Sequence, residues 1–427
     1  MADDLAIIFA YHFPPENAIG AQRPYRLYKY LSRLGFRCHV ISAAQLEERP
    51  DIDGQHVPDP FVTKPRQGVG WQVERAIRRF ILPGVVGSQW AIGAYRAARR
   101  FIRQNPGHRV TVISTVPPVG PHLAAYWLAR QEHIPWIADY RDPLGDNPFY
   151  DHINSFTKDV YRKLERICVL AADVTIANTD AVQAKMKKIY PDRADRIELI
   201  WNGFDPEDRL TALPPEGTGR NVIAHVGELY GGRSVSPLLE SLRRLIDSRI
   251  VDPRSFQISL TGPVVEGSIP DSVFMRAAEQ EGWVKFNPDR VPQSTAHRII
   301  QTADAHLLIQ PQTALQVPGK LFDYLQIGRP VLAFVPPDSP VERILEKSGV
   351  PFRCVYPPCD QDNLDPAMLE FLRLLPAQGQ PSEWFEQQFN ARGHAETVAN
   401  LIERAHEKRR SAVGRVPVPR GLNEEPR

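Results

Sequence analysis

Lys320 and Asp323 set a cation and a carboxylate three residues apart in the run VPGKLFDYLQIGRPVLA, from Val317 to Ala333. On a helix that spacing places both on one face, and Gly328 is positioned to end the helix before the apolar strand VLAFV. A helix start carries partial positive charge and unsatisfied N–H groups, so Gly319 and Lys320 predict a phosphate site. Asp323, one turn deeper, is suited to accept hydrogen bonds from a vicinal diol such as a ribose. The same segment also reads as an amphipathic helix that only packs on its sheet. A second group, Asp139, Arg141 and Asp142, closes the apolar run WIADY and leads into RDPLGDNP. Charges at that place are costly unless they pair with one another or meet a ligand, and both readings stand. A third is Arg233, which follows Gly227, Gly231 and Gly232 in HVGELYGGRSVSPLLESL. Its planar fork of donors suits phosphate oxygens, and an ordinary surface arginine is the other reading.

The elements that must hold these groups alternate along the chain. Strand-like runs LAIIFAY (Leu5 to Tyr11), CHVIS, VTVIST (Val110 to Thr115), WIADY and VTIANT are separated by helical patterns, including RPYRLYKYLSRLG from Arg23 and a long one from Ser155 to Ala171. The pattern restarts with VIAHVG (Val222 to Gly227), FQISLTG, HLLIQ and VLAFV, again separated by helices. Such alternation calls for parallel sheets with crossover helices, an α/β fold of two Rossmann-like domains. The expected organisation is an N-terminal domain over 1–205, a polar, proline-rich linker over 206–220 and a second domain over 221–380. Helices over 381–410 and a disordered tail over 411–427 complete it. Ligands bind such sheets at the carboxyl ends of the strands. That directs attention to Gly20, in the loop HFPPENAIGAQRP, where a permissive backbone suits close approach of a sugar or phosphate. The same loop lacks GxGxxG, which argues against a dinucleotide oxidoreductase.

The 427 residues carry 52 Lys and Arg against 50 Asp and Glu, so bulk polyanion binding is not implied, and no nucleic-acid reader motif is present. Cys38, Cys168, Cys354 and Cys359 match neither a zinc site nor a disulfide framework and predict reduced thiols. The N-terminus has acidic residues where a signal peptide is basic, and no run of about 18 apolar residues exists, so a cytoplasmic protein is expected. Metal and cofactor are not expected: the DxD run Asp51 to Asp53 falls in an irregular segment. Between Lys64 and Arg109 stand ten Lys or Arg and one acid, Glu74, interleaved with Trp71, Phe80, Ile81, Leu82 and Trp90. That segment reads either as a surface for an anionic membrane or as ordinary solvated helices.

The run containing Lys320 and Asp323 resembles the donor-sugar signature of the retaining GT-B glycosyltransferases of family 4. There a glutamate five residues before a glycine grips the nucleotide ribose, and Asp323 stands in its place. The helix opening Arg23 to Leu27, the DYRDPL run and HVGELYGGRSVSPLLESL are similar to further family segments, the last to the one that holds the donor diphosphate. Gly262 with Pro263 resembles a family loop near the nucleotide base. The resemblance implies two domains facing across a cleft, a C-terminal helix (His394 to Arg410) crossing back to the first, and transfer of a sugar from a nucleoside diphosphate donor to a hydroxyl. It further implies retention without a metal, a lipid-linked or polysaccharide acceptor in cell-envelope glycan synthesis, and work at the inner membrane face. Arg233 and Lys320 would stabilise the departing diphosphate, with Asp139, Arg141 and Asp142 on the opposite wall. Two departures stand out. Glu228 occupies a place where many relatives have arginine, and Leu315 replaces the first of two glutamates eight positions apart. A nucleotide-sugar epimerase or hydrolase, or an inactive scaffold on the same fold, are the competing readings.

Overall fold

The computed structural model describes residues 4–16, 19–60, 87–145, 147, 154–215, 219–230, 232–311 and 313–413. Short apolar runs form two parallel sheets, each buried by helices on both faces. The first contains β1 (Asp4–Ala10), β2 (Arg37–Ser42), β3 (Gly54–His56), β4 (Arg109–Val116), β5 (Trp136–Tyr140), β6 (Val174–Ala177) and β7 (Ile197–Leu199). Their spatial order is β3-β2-β1-β4-β5-β6-β7. Its crossovers include α1 (Ile19–Arg33), α2 (Ser88–Gln104), α3 (Gly120–Gln131), α4 (Ser155–Ala171) and α5 (Asp180–Ile189). The second sheet contains β8 (Asn221–Val226), β9 (Phe256–Thr261), β10 (Val284–Asn287), β11 (Ala305–Ile309), β12 (Val331–Phe334) and β13 (Phe352–Val355), in the order β10-β9-β8-β11-β12-β13. Its helices are α6 (Ser236–Asp247), α7 (Ser272–Gln280), α8 (Gln293–Thr302), α9 (Lys320–Ile327), α10 (Pro340–Lys347) and α11 (Gln361–Arg373). In each sheet the strand order reverses once, between β1 and β4 and between β8 and β11. Those reversals open the crevices in which doubly wound sheets take ligands.

Local signals set the helix starts. The Asn154 side chain accepts from the Thr157 amide at 2.8 Å to open α4, and Thr179 caps α5 by accepting from Val182 at 3.1 Å. The last helices, α12 (Glu383–Gln388) and α13 (Ala391–Val413), have no strand partner. Ala391, Ala395, Val398, Leu401 and Ile402 of α13 instead join Ala6, Ile8 and Ile137 in the core of the first domain. Ion pairs hold that return: Arg409 to Asp173 at 2.8 Å, and Arg109 to both Asp4 and Glu403. The fold is GT-B, with two Rossmann-like halves and the crossover helix.

The helix α1 starts at Ile19, four residues before Arg23, so Gly20 lies in its first turn. Helix α13 runs to Val413, past Ser411, and residues 414–427 lie outside the described ones. Half of the basic segment from Lys64 to Arg109, residues 64–86, also lies outside them. Trp90, counted in that segment as a membrane-facing aromatic, is instead a core residue. It is fully buried, donates from its indole to the Val57 carbonyl at 2.9 Å and meets Phe9 and Tyr11 edge-on. All four cysteines are free thiols, Cys359 alone half-buried. Among the described residues no helix is long and apolar enough to cross a membrane.

Candidate active site

Both reversals face one cleft of about 1340 Å³. It is lined by Gly20, Asp139, Arg141 and Asp142 from the first domain, and by Gly227, Arg233, Gly262, Gly319, Lys320 and Asp323 from the second. The ten residues that sequence reasoning selected therefore share one space, although their partners there differ from the expected ones.

On the second-domain wall, Lys320 is the first residue of α9 and Arg233 lies in the loop after β8, the two sides of the strand reversal. The Lys320 ammonium donates to the Val226 carbonyl at 3.0 Å. Burial, and then the neighbouring Arg233 charge, pull its pKa down to about 7, against the opposing pull of Asp323. Gly227 makes this possible. Its φ of +129° disfavours any side chain, and a Cβ there would lie 2.9 Å from Lys320 Nζ. Gly262 packs directly against Gly227 at the end of β9. Arg233 lies over the Tyr230 ring at 4.6 Å and donates to Gln310 Oε1 at 2.5 Å. The amides of Leu321 and Phe322 are already bonded to Pro318 and Gly319 at 3.0 and 3.1 Å. The helix start thus offers fewer donors than a bare N-terminus, and the two side-chain cations carry most of the positive potential. Space is open where a Cβ of Gly319 would be. Burial pushes the Asp323 carboxyl up to about 6, with His297 and Arg26 pulling it down and Asp208 opposing them. Glu228 pairs with Arg290 at 2.6 Å.

On the first-domain wall, Asp139 is 4% exposed, and both of its oxygens are engaged. Arg23 of α1 binds them bidentately, Nη2 at 2.7 Å and Nε at 2.9 and 3.1 Å, and Thr115 adds a bond at 2.9 Å. Despite burial, the Arg23 charge and these bonds hold the carboxyl below its ordinary range. Arg23 also donates to the Ile200 and Trp201 carbonyls at 2.9 and 2.6 Å, tying α1 to the end of the sheet. Arg141 does not join Asp139. It donates to the carbonyls of Gly20 at 2.5 Å, Val116 at 3.3 Å and Pro117. The reason lies four residues on from Gly20: Pro24 has no N–H to close the helical bond to the Gly20 carbonyl, and the Arg141 guanidinium supplies one. A Cβ on Gly20 would fall 2.1 Å from Arg141 Nη1, so what approaches this glycine closely is the protein's own arginine. Asp142 accepts from Gln316 Nε2 at 2.6 Å across the domain seam, and burial pushes it up to about 6.

Sequence reasoning missed several cleft residues. Arg23 and Arg26 are three apart on α1 and so share a face, a signal present in the RPYRL run. Arg26 reaches the Gly203 carbonyl and lies near Asp323 from the opposite domain. Asn178, Asp208, His297, Gln310 and Gln316 carry no pattern that singles them out. Leu315, in place of the first glutamate, packs against the first-domain core, and its carbonyl accepts from Thr179 at 2.7 Å. Among the described residues no group of His, Cys, Asp and Glu could hold a metal ion.

Residues 21–208 match the model of Glycosyltransferase Family 4. The α,α-trehalose-phosphate synthase (UDP-forming) of Burkholderia xenovorans, solved with glucose-6-phosphate, is similar over 94% of this chain and 100% of its own, with 10% identity and a TM-score of 0.61. Sucrose-phosphate synthase of Thermosynechococcus elongatus is similar over 96% and 99%, at 12% identity and a TM-score of 0.56. HepE of Anabaena, in complex with UDP-glucose, is similar over 95% and 99%, at 14% identity and a TM-score of 0.53. A comparison with curated proteins finds no match.

Proposed function

We propose that this protein, whose fold is GT-B and whose residues 21–208 match the Glycosyltransferase Family 4 model, moves a sugar from a nucleoside diphosphate donor to a hydroxyl of a lipid-linked or polysaccharide acceptor in cell-envelope glycan synthesis. The observation that carries the reading is the paired cations at the β8/β11 reversal, Lys320 and Arg233, above a floor of glycines. They stand where charge grows as the bond between the sugar and the diphosphate breaks. Burial and the Arg233 charge lower the Lys320 pKa to about 7, so an arriving diphosphate favours its charged form. Asp323 takes the ribose hydroxyls. The acceptor hydroxyl forms the new bond to the anomeric carbon, and its proton passes to the leaving diphosphate, so no dedicated base is needed and the configuration is retained. No metal takes part. The bidentate Asp139–Arg23 pair and the Arg141 carbonyl bonds position the first-domain loops. HepE's complex with UDP-glucose supports a nucleotide sugar as donor.

Membrane association belongs to the same reading. On α2, Ile92, Arg96, Arg100 and Arg103 form one exposed stripe at helical spacing, with Trp127 of α3 partly exposed beside it. Basic and apolar groups so mixed suit the anionic inner leaflet. The deciding experiment for the function is calorimetry with UDP, GDP, ADP and their sugars, followed by product analysis with membrane lipid extract as acceptor. Tight binding of one nucleotide and acceptor-dependent diphosphate release support transfer. Donor consumption without acceptor indicates hydrolysis or epimerisation, and no nucleotide binding indicates a scaffold.

A further inference from the structure

At the seam between the domains, two neighbouring amide side chains share one unusual state. Asn178, just beyond β6, is 3% exposed; its Nδ2 donates to the Arg141 carbonyl, and its Oδ1 has no hydrogen-bond partner. Gln316, on the loop between β11 and α9, is 6% exposed; its Nε2 donates to Asp142, and its Oε1 has no partner either. The bond from Thr179 to the Leu315 carbonyl places the two segments side by side. Both residues line the cleft. Rotating either amide would turn its oxygen against a carbonyl or a carboxylate, so the two unpartnered atoms are fixed as acceptors. A buried acceptor left unsatisfied is destabilising, and two on neighbouring segments at a cleft wall mark a place where a ligand supplies the donors.

We infer that Asn178 and Gln316, with Asp142 bonded to the Gln316 amide, form a hydroxyl-reading subsite that spans both domains and takes the ring hydroxyls of a sugar. The set offers acceptors to donors, which fits a polyol and not a phosphate. The Arg141 guanidinium nearby is engaged by three backbone carbonyls. Gln316 stands four residues before Lys320 on one loop, whereas Asn178 belongs to the opposite domain. The sugar is therefore either that of the donor or that of the acceptor. The inference rests on the proposed transfer reaction and adds to it which residues tell one sugar from another.

The test compares wild type, Gln316→Met and Asn178→Leu, as the full chain, by calorimetry. One arm titrates UDP against UDP-glucose and UDP-galactose, and GDP against GDP-mannose. The other titrates octyl glucoside, galactoside and mannoside into UDP-saturated protein. If the donor sugar is read, sugar-donor affinity falls about tenfold in each variant, the loss of one hydrogen bond, while bare diphosphate affinity is unchanged. If the acceptor is read, donor affinity holds and glycoside affinity falls by that factor. Unchanged affinities in both arms overturn the inference, as does an equal fall for UDP and UDP-sugar, which marks a structural role. Should Asn178→Leu fail to fold, Gln316→Met decides alone, since it keeps length and leaves the first-domain core intact. A wild type that binds no nucleotide at all overturns the transfer reading itself, and this inference with it.

Discussion

Lys320 makes donor binding depend on pH in a way that can be worked out in advance. Its folded pKa, lowered to about 7 by burial and by Arg233, divides the free protein between an ammonium that binds a diphosphate and an amine that does not. Half the molecules are competent at pH 7 and about 3% at pH 8.5, so apparent donor affinity should fall about fifteenfold over that interval. The window avoids Asp142 and Asp323, whose pKa values of about 6 leave both ionised throughout. A nucleoside diphosphate sugar, esterified at both ends, adds no titrating phosphate there. Calorimetry in two buffers of different ionisation enthalpy should also register proton uptake above pH 7, because the bound anion draws the Lys320 pKa back up. In Lys320→Gln the affinity should be weak and flat with pH. A wild-type affinity that is constant from pH 7 to 8.5, with no proton uptake, would refute the placement of the diphosphate at Lys320.

The same lowered pKa predicts the sign of a stability effect. Folding disfavours the ammonium, so the fold loses stability as pH drops from the unfolded value of 10.5, and the penalty is fully present below about 7. Lys320→Met should therefore melt higher than wild type at pH 6.5 while losing donor binding, and a lower melting temperature would contradict this. Asp323→Ala should weaken nucleoside diphosphate affinity about tenfold, through loss of the ribose acceptor; unchanged calorimetric affinity would move the ribose elsewhere. Asp139→Ala should destabilise by about 3 kcal/mol, since the guanidinium of Arg23 is left buried without its carboxylate. Denaturant unfolding that matches wild type would show that Arg23 finds another partner.

The alternation of apolar runs and amphipathic stretches determined most of the fold. WIADY and the segment from Ser155 to Ala171 have the bounds that the sequence indicates, because each strand is buried on both faces and each helix needs one apolar stripe. The edge strands Gly54–His56 and Ile197–Leu199 left no such mark, since three-residue edge strands need no apolar run. Residues that line the cleft were legible where type and position coincide, as in Lys320 and Asp323 on the helix after β11 and Arg233 in the loop after β8. Their pairing was not. Asp139 and Arg141 stand two apart at one strand exit, yet one meets Arg23 from a helix 116 residues away and the other the carbonyl that Pro24 leaves without its helical partner. Local spacing specifies which face of an element a side chain occupies. Which partner waits there is decided by how sheet, helix and crossover close around it, and for Asn178 and Gln316 by the meeting of two domains.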